Sequence, residues 1–282
     1  MIELISPAVI IVISGAIFFL FRRREKARTK KLATISQELG YPFQVAMDPK
    51  RLERLGAFPL MNIGRGKQIE NVISVDGPSA DIAIFDYRYV TGHGKSRRVF
   101  RQTVMSVDSM SLVHPVFNLR PEGFWFKMGS VFGGQDIDFV EHPGFSKKYV
   151  LKGESEEEVR IYMDTILLDF FSVQDNICCE AREGTILYYH RHTRVAPDAE
   201  QLQKFIEAGM GVFEELVTRQ SRPSGQCPLT FELFVSLKYG CFNFTKFEFH
   251  RVTNTCFIFP NHSNWTSQPF KFLTKIDNIM TS

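Results

Sequence analysis

The most constraining feature of this sequence is an almost unbroken apolar run over residues 4–21, which a basic cluster follows directly. As a helix, residues 2–21 would reach ~30 Å, about the thickness of the hydrocarbon core of a bilayer. Pro7 falls in the first turn of that helix, where a missing N–H group costs little. The run therefore predicts a transmembrane helix over residues 1–21.

A cleaved signal peptide and a buried core helix are the alternatives to this membrane span. A signal peptide carries its positive charge before the apolar run and small residues after it. Here no Lys or Arg precedes the run, and Phe21 leads directly into three arginines. A buried helix of this length would normally show a polar face. Both alternatives fit the sequence less well than a spanning helix.

The positive charge near the N-terminus lies entirely on the C-terminal side of the run. Seven basic residues and Glu25 give this segment a charge of +6, which leaves −3 for the rest of a chain whose total is +3. The basic residues are Arg22, Arg23, Arg24, Lys26, Arg28, Lys30 and Lys31. The positive-inside rule then predicts a single-pass protein of the plasma (inner) membrane, with its N-terminus outside and the domain after Phe21 in the cytoplasm.

The same charge distribution bears on partners. The lipid bilayer is the first expected partner, and the basic cluster could also attract anionic lipids, although a topology signal is its simpler role. Because the rest of the chain has no net positive charge, we expect no nucleic acid as a partner.

Beyond residue 21 the chain divides into three predicted parts. Residues 22–40 form a basic juxtamembrane helix, because Leu32, Ile35 and Leu39 share one stripe and Gly40 ends it. Residues 41–220 hold strands first and helices later, which predicts an α+β domain with a mixed, mainly antiparallel sheet and two or three helices. Residues 221–282 are crowded with Phe without a sustained period, so we expect a disordered or non-native tail, which the neighbouring reading frames of the coding DNA would test.

Within residues 41–220, periodicity and caps predict the main elements. Strands are expected at 72–75, 116–120, 136–139 and 149–152, and hairpins pair 82–90 with 98–107 and 178–182 with 185–192. Asp48 caps a short helix, and Ser155 opens a longer one over residues 156–170. A last helix opens at Pro197 and Asp198. It contains Gly209 and Gly211, which predicts close packing against a neighbouring element.

Two pairs of side chains are candidates for chemistry. Asp136 and Asp138 share one face of a predicted strand, and His190 and His192 share a face of another, as acid–base or metal-binding pairs would. Solvated or packing roles are the simpler interpretation of all four. We predict no metal and no cofactor, because neither pair comes with the further ligands that an ion needs.

The segment Gly94-Lys95-Ser96 resembles the end of a phosphate-binding loop. That motif needs an earlier glycine, where Tyr89 stands, and a following helix, where a strand is predicted. A hairpin turn is the better interpretation. Asp86 and Arg88 lie on the first strand of this hairpin, near Arg101 on the partner strand, and are predicted to form a cross-strand charge pair.

The cysteines are odd in number and form no C-x-x-C pair, so we expect free thiols in a reducing compartment. They are Cys178, Cys179, Cys227, Cys241 and Cys256.

Several short motifs carry a resemblance to a known family. They are FDYRY from Phe85, RQTV from Arg101, FNLRPEG from Phe117, and the pair Phe145-Ser146 followed by YVLKG from Tyr149. This pattern resembles a bacterial family of N-terminally anchored single-pass membrane proteins. The likeness covers residues 22–216 and stops before the tail. Because no activity is known for the family, the resemblance implies an anchored domain and assigns no functional residues.

Two functions fit these observations. The first is a membrane-anchored cytoplasmic domain that binds a protein or lipid partner, since anchor and stalk adjoin a domain without a convergent catalytic set. The alternative is a tethered small-ligand-binding or hydrolytic enzyme that uses Asp136, Asp138, His190 or His192. Convergence of these side chains in one deep pocket would favour the enzyme.

Overall fold

The structure is a computed structural model that describes residues 7–76, 80–123 and 136–220, and the backbone of two short strands at 250–252 and 255–257. For residues 7–11 and 76 the description is limited to the backbone. Internal contacts divide the chain into two units, Met1–Arg222 and Pro223–Ser282. In the second unit, the strands at His250–Val252 and Thr255–Phe257 form an antiparallel pair. Most of the predicted tail lies outside the described residues.

The described part of the first unit is built on one eight-stranded sheet in which every pairing is antiparallel. This confirms the predicted α+β class. The spatial order of the strands is β1-β2-β3-β4-β8-β7-β5-β6. Their bounds are β1 Phe43–Gln44, β2 Arg65–Asp76, β3 Asp81–Thr91, β4 Arg98–Asp108, β5 Phe117–Pro121, β6 Tyr149–Gly153, β7 Ile177–Arg182 and β8 Thr185–His190.

Helices cover both faces of this sheet. Their bounds are α1 Pro7–Glu38, α2 Pro49–Leu55, α3 Pro59–Asn62, α4 Pro143–Lys148, α5 Glu156–Tyr162, α6 Thr165–Val173 and α7 Ala199–Gln220. Local chemistry explains their starts: the side chain of Asp48 caps α2, and that of Ser155 caps α5. A short 3-10 turn, Gly94–Ser96, closes the hairpin of β3 and β4, which confirms the hairpin-turn interpretation of this segment.

Each face of the sheet packs against a different helical layer. On one face, alternate residues of β3 such as Phe85 and Tyr87 pack with Phe58 and Leu60 around α2 and α3. On the other face lie α1 and α7, where the last helix brings Gly209 against Met105 and Tyr188. The central strands, such as β3 and β8, are therefore buried on both sides over most of their length, which explains their near-continuous apolar sequences.

Three predicted features of the fold are wrong. Residues 136–139 are not a strand, although the backbone N–H of Ile137 donates to the carbonyl of Leu151 at 2.8 Å. The helix expected over residues 156–170 is two helices, because Asp164 interrupts the first and caps the second by accepting from Leu167. Asp86 does not pair with its neighbours on the hairpin: Arg88 binds Gln68 instead, and Asp86 binds a residue of α1 described below.

The N-terminal helix is continuous from Pro7 to Glu38, so the predicted anchor and juxtamembrane segments belong to one helix where they are described. Within that described part, no helix combines the length and apolarity that a membrane span requires. The apolar run over residues 4–21 begins before the first residue that the structure describes.

We predict opposite effects for alanine at the two glycines of α7. A Cβ atom at Gly209 would lie 2.6 Å from the sulfur of Met105 and 2.9 Å from a ring carbon of Tyr188, whereas at Gly211 nothing lies within 4 Å. The expectation of close packing is therefore wrong for Gly211. Gly209→Ala should lower the free energy of unfolding by about 1–3 kcal/mol, and Gly211→Ala should raise it by up to about 1 kcal/mol. Denaturant unfolding of both variants checks this, and equal effects would contradict it.

Candidate functional site at the junction of the N-terminal helix and the sheet

The buried side chain of Arg28 joins α1 to the sheet. Its Nε and Nη2 atoms donate to Oδ2 and Oδ1 of Asp86 at 2.7 and 2.8 Å. Its Nη1 atom donates to the carbonyl oxygen of Val195 at 2.7 Å. Both charged side chains are less than a tenth exposed. A bidentate arginine–carboxylate pair of this kind fixes orientation as well as distance.

Asp86 also receives two hydrogen bonds from the sheet. The Nδ2 atom of Asn71 donates to Oδ2 at 2.8 Å, and the hydroxyl of Thr103 donates to Oδ1 at 3.0 Å. The Thr103 hydroxyl in turn accepts from the backbone N–H of Val195 at 3.0 Å. A buried ion pair is stable only when its remaining hydrogen-bonding positions are filled, and these contacts fill them here.

A β-bulge in β2 places Asn71 in this network. The register of β2 against β3 shifts between Glu70 and Ile73, and Asn71 there has φ +57°. Asparagine tolerates this left-handed conformation better than most residues. The bulge thus aims an amide donor at Asp86.

A second ion cluster lies one turn earlier on α1. Glu25 accepts from Nη1 and Nη2 of Arg194 at 2.7 and 3.1 Å, and the Nε atom of Arg101 lies 3.8 Å from the same carboxylate. The guanidinium of Arg101 also covers the ring of Phe21, with 4.6 Å to its centroid. These groups are about a quarter exposed, so each pair adds less stability than the buried one. Together with Arg28 they fix which side of α1 faces the sheet.

The junction has little free space. A cavity of about 10 Å³ lies between α1 and the sheet, and its walls include Arg28, Asp86, Leu32 and Leu202. A space of this size holds about one water molecule and no organic substrate. The junction is therefore built as a structural contact and not as a ligand pocket.

The seven basic residues behind the apolar run have different environments. Arg28 is buried against Asp86, so the expectation that it contacts lipid with the others needs correction. The other six are exposed: Arg22, Arg23, Arg24, Lys26, Lys30 and Lys31. The physical reason lies in the helical stripe, because Arg28 shares the inward face with Leu32 and Ile35 at i+4 and i+7 spacing.

The two aspartates predicted as candidates lie beside β6 and do not act as a pair. Asp136 is half-buried and accepts from the backbone N–H of Leu151 at 2.9 Å. Burial raises its pKa, and that hydrogen bond opposes the rise. Asp138 is exposed, and its carbonyl oxygen accepts from Arg160.

The two histidines predicted to share a face lie on opposite faces of the sheet. The Nε2 atom of His190 lies 3.1 Å from the Tyr188 hydroxyl, on the side of Phe205 in α7. Strand β8 ends at His190, and the chain then turns with φ +53° at His192. That turn stacks His192 on Phe100 with centroids 4.0 Å apart. The turn is therefore the physical reason that the shared-face prediction is wrong.

Within the described ranges, no three His, Cys, Asp or Glu side chains gather as a metal site would require.

A second buried charge lies on the α2–α3 face of the sheet. Glu180 is fully buried and accepts from Arg120 and from the Tyr189 hydroxyl, each at 2.8 Å, and from the backbone N–H of Leu60 at 3.0 Å. Burial raises the pKa of Tyr189 well above its usual range. Burial also raises the pKa of the neighbouring Cys178 thiol to about 12, so this thiol is a poor nucleophile. The cluster fastens α3 to the sheet and is closed to substrates.

The sequence contains a signal for each of the two buried ion pairs, although periodicity and spacing predict neither pair. Arg28 falls on the apolar stripe of its helix, where a charge requires a partner. Asp86 and Glu180 each stand in the middle of a strand with apolar residues directly on both sides, and in a sheet covered on both faces such acids are buried. Their partners lie 58 and 60 residues away, which is why spacing alone could not identify them.

We expect Arg28→Ala to destabilise the protein by about 3–5 kcal/mol, because it leaves the carboxylate of Asp86 buried without its partner. The double variant Arg28→Met with Asp86→Leu should recover much of this loss, since it removes both charges. Lys30→Ala, on the exposed side of α1, is the control and should change stability by about 0.5 kcal/mol or less. Urea unfolding of the full chain in detergent measures all three. Equal losses in the single and double variants would contradict the prediction.

We also expect His192 to make stability depend on pH. Burial, together with the charge of Arg191, lowers the pKa of His192 from 6.5 to about 4. The stability it contributes is present above pH 6.5 and is lost as the pH falls towards 4, because the unfolded chain takes up the proton first. His192→Gln should reduce that loss by about 1–2 kcal/mol, allowing for solvent screening of a half-buried ring. Unfolding curves across this range, with His93→Gln as the exposed control, test the sign.

Comparison with known proteins gives one informative likeness. The fold is similar to the crystal structure of the mycobacterial trehalose monomycolate transport factor A, TtfA, with a TM-score of 0.50 and 11% sequence identity. The match covers 68% of this chain and 95% of that chain. The chain matches no protein-family model, and no curated protein matches it. At this level of identity, the likeness shows a shared fold alone.

Proposed function

We propose that this chain is a single-pass protein of the inner (plasma) membrane, with its N-terminus outside and residues 41–220 in the cytoplasm. The domain serves as a non-catalytic binding module for a protein or lipid partner. The resemblance of its motifs to an anchored bacterial family fits the same proposal.

The observation that carries the proposal is the uncovered apolar surface at the start of α1. Seven large apolar side chains there are each more than 40% exposed: Val12, Ile13, Ile17, Phe18, Phe19, Leu20 and Phe21. Water is a poor environment for a surface of this kind, and the hydrocarbon core of a bilayer is a good one. The exposed basic residues that follow suit the cytoplasmic head-group region.

The junction supports a role in positioning. Because α1 is one helix from Pro7 to Glu38, and because Arg28 and Glu25 both bind the sheet, the domain would hold a fixed orientation to an anchored helix. A flexible linker would supply only proximity. A fixed orientation is useful to a domain that presents one surface to a partner in the same membrane.

The alternative, a tethered small-ligand-binding or hydrolytic enzyme, has less support. Its proposed residues Asp136, Asp138, His190 and His192 lie at separate places. Acid–base chemistry needs groups within hydrogen-bond reach of one substrate.

The similar fold of TtfA supplies neither a partner nor a substrate for this chain. TtfA is described as a trehalose monomycolate transport factor. For this chain we propose no transport role from that likeness, and only that the domain binds a protein or lipid partner.

Membrane association and topology can be tested on the full chain. We expect the protein to stay with membranes after alkaline carbonate extraction, and a reporter at its C-terminus to be active in the cytoplasm. Recovery in the soluble fraction, or a periplasmic reporter, would refute the anchored topology.

Fixed positioning is tested separately with Arg28→Ala in inside-out vesicles. Loss of the junction should expose the helix between residues 22 and 40 to protease while leaving the protein in the membrane. Lys30→Ala is the matched control and should resist protease as the parent does. Equal protection of the parent and Arg28→Ala would refute a positioning role for the junction. Affinity capture from solubilised membranes with the parent and both variants then identifies a partner that depends on this orientation.

A further inference from the structure

One end of strands β2, β3, β4 and β8 carries no acidic residue. The sequence has no Asp or Glu over residues 62–69, 87–107 or 187–197, which form this end. It does have five exposed basic residues around the β3–β4 turn and the start of β2, here called the basic tip: Arg65, Lys67, Lys95, Arg97 and Arg98. Among the described side chains, none of these five has a carboxylate at ion-pair distance.

Acidic residues gather at the other end of the same strands. Asp81 and Asp108 are register partners where β3 begins and β4 ends, and Glu183 lies in the turn between β7 and β8. The net charge of −3 outside the N-terminal cluster therefore hides a separation of charge along the strands.

The direction of α1 puts the basic tip beside the exposed apolar part of the helix. Going back along α1, the residues in contact with the sheet are Arg28 at Thr103 and then Glu25 and Phe21 at Arg101. The helix and β4 thus run alongside each other in the same direction. Arg98 lies three residues beyond Arg101, a distance of ~10 Å along a strand, which matches six or seven helical residues. Counted from Glu25 the tip is accordingly level with about residues 18–19 of α1, and counted from Phe21 with about residues 14–15, so it lies beside the last part of the apolar run before the arginines.

We propose that the basic tip is a second contact with the membrane surface and binds anionic lipid head groups. This inference rests on the proposed anchoring of α1. An anchored helix brings the tip within a Debye length, about 8–10 Å, of the head groups, where the attraction of basic residues to anionic lipid acts. The tip and the exposed residues Arg22, Arg23 and Arg24 then contact the same membrane surface. The strands run away from that surface, so the acidic end of the sheet lies in solution.

Photocrosslinking in vesicles tests this contact on the full chain. Benzoylphenylalanine replaces the exposed Ser96 in the tip or, as a position control, the exposed Leu52 on α2. The protein is reconstituted in phosphatidylcholine vesicles with and without phosphatidylglycerol. We expect lipid adducts at position 96 that are several-fold more abundant with phosphatidylglycerol and decline as salt rises, and few adducts at position 52.

A charge-reversal pair supplies the matched variants. Lys95→Glu with Arg97→Glu should lower the adduct yield at position 96 by about tenfold, because each basic residue near an anionic surface contributes several-fold to binding. Lys50→Glu with Arg51→Glu changes the total charge equally, at α2 on the other end of β4, and should leave the yield unchanged. Equal yields in the two pairs would overturn the proposal.

Flotation of the vesicles after carbonate treatment distinguishes a failure of the lipid contact from a failure of the proposed anchoring of α1. Protein that floats with pure phosphatidylcholine but forms no adducts at position 96 would overturn the lipid contact and leave the anchoring intact. Protein that does not float would overturn both. A probe at position 96 that crosslinks to added RNA and not to phosphatidylglycerol would assign the tip to nucleic acid and also overturn the proposal.

Discussion

The buried pair of Arg28 and Asp86 is the contact on which the arrangement of the described domain depends. An isolated charge in a protein interior is costly, and a pair is stable only where hydrogen bonds complete it. Here the completing groups come from a bulge in β2, from β4 and from the segment after β8. With β3, which carries Asp86, four separate parts of the chain must therefore be in place before α1 can dock. A hydrophobic contact between the same elements would tolerate rotation and sliding of the helix, whereas this pair tolerates neither.

The second buried carboxylate, Glu180, serves the opposite face in a similar way. It binds Arg120 and Tyr189 within the sheet and the backbone of Leu60 at the start of α3. Each helical layer of the domain is thus attached to the sheet by one buried, fully bonded acid in addition to its apolar packing. Polar contacts of this type add specificity to a fold whose apolar packing supplies most of its stability.

Local patterns predicted those parts of the fold that local chemistry determines. Both hairpins, the cap of α2 and the start of α7 follow from alternation, turn residues and side-chain caps, and the structure has them. The break at Asp164 was missed because its cap competes with a helical stripe that continues across it. The site was less predictable still. Arg28 belongs to a run of basic residues whose other members are exposed, and only its place on the apolar stripe distinguishes it. The partner on β3 is fixed by tertiary structure that no local window contains.

The absence of a break in α1 between its exposed apolar part and its docked part has a mechanical consequence. A helix turns by about 100° and rises ~1.5 Å with each residue. One residue inserted between Phe21 and Glu25 would therefore swing everything downstream around the helix axis by more than a quarter turn, while hardly changing its height. Seven inserted residues would nearly restore the original orientation about the helix axis, because they turn the helix by almost two full turns. Insertions or deletions in one short segment would thus change the orientation of the domain without altering the surface that the domain presents.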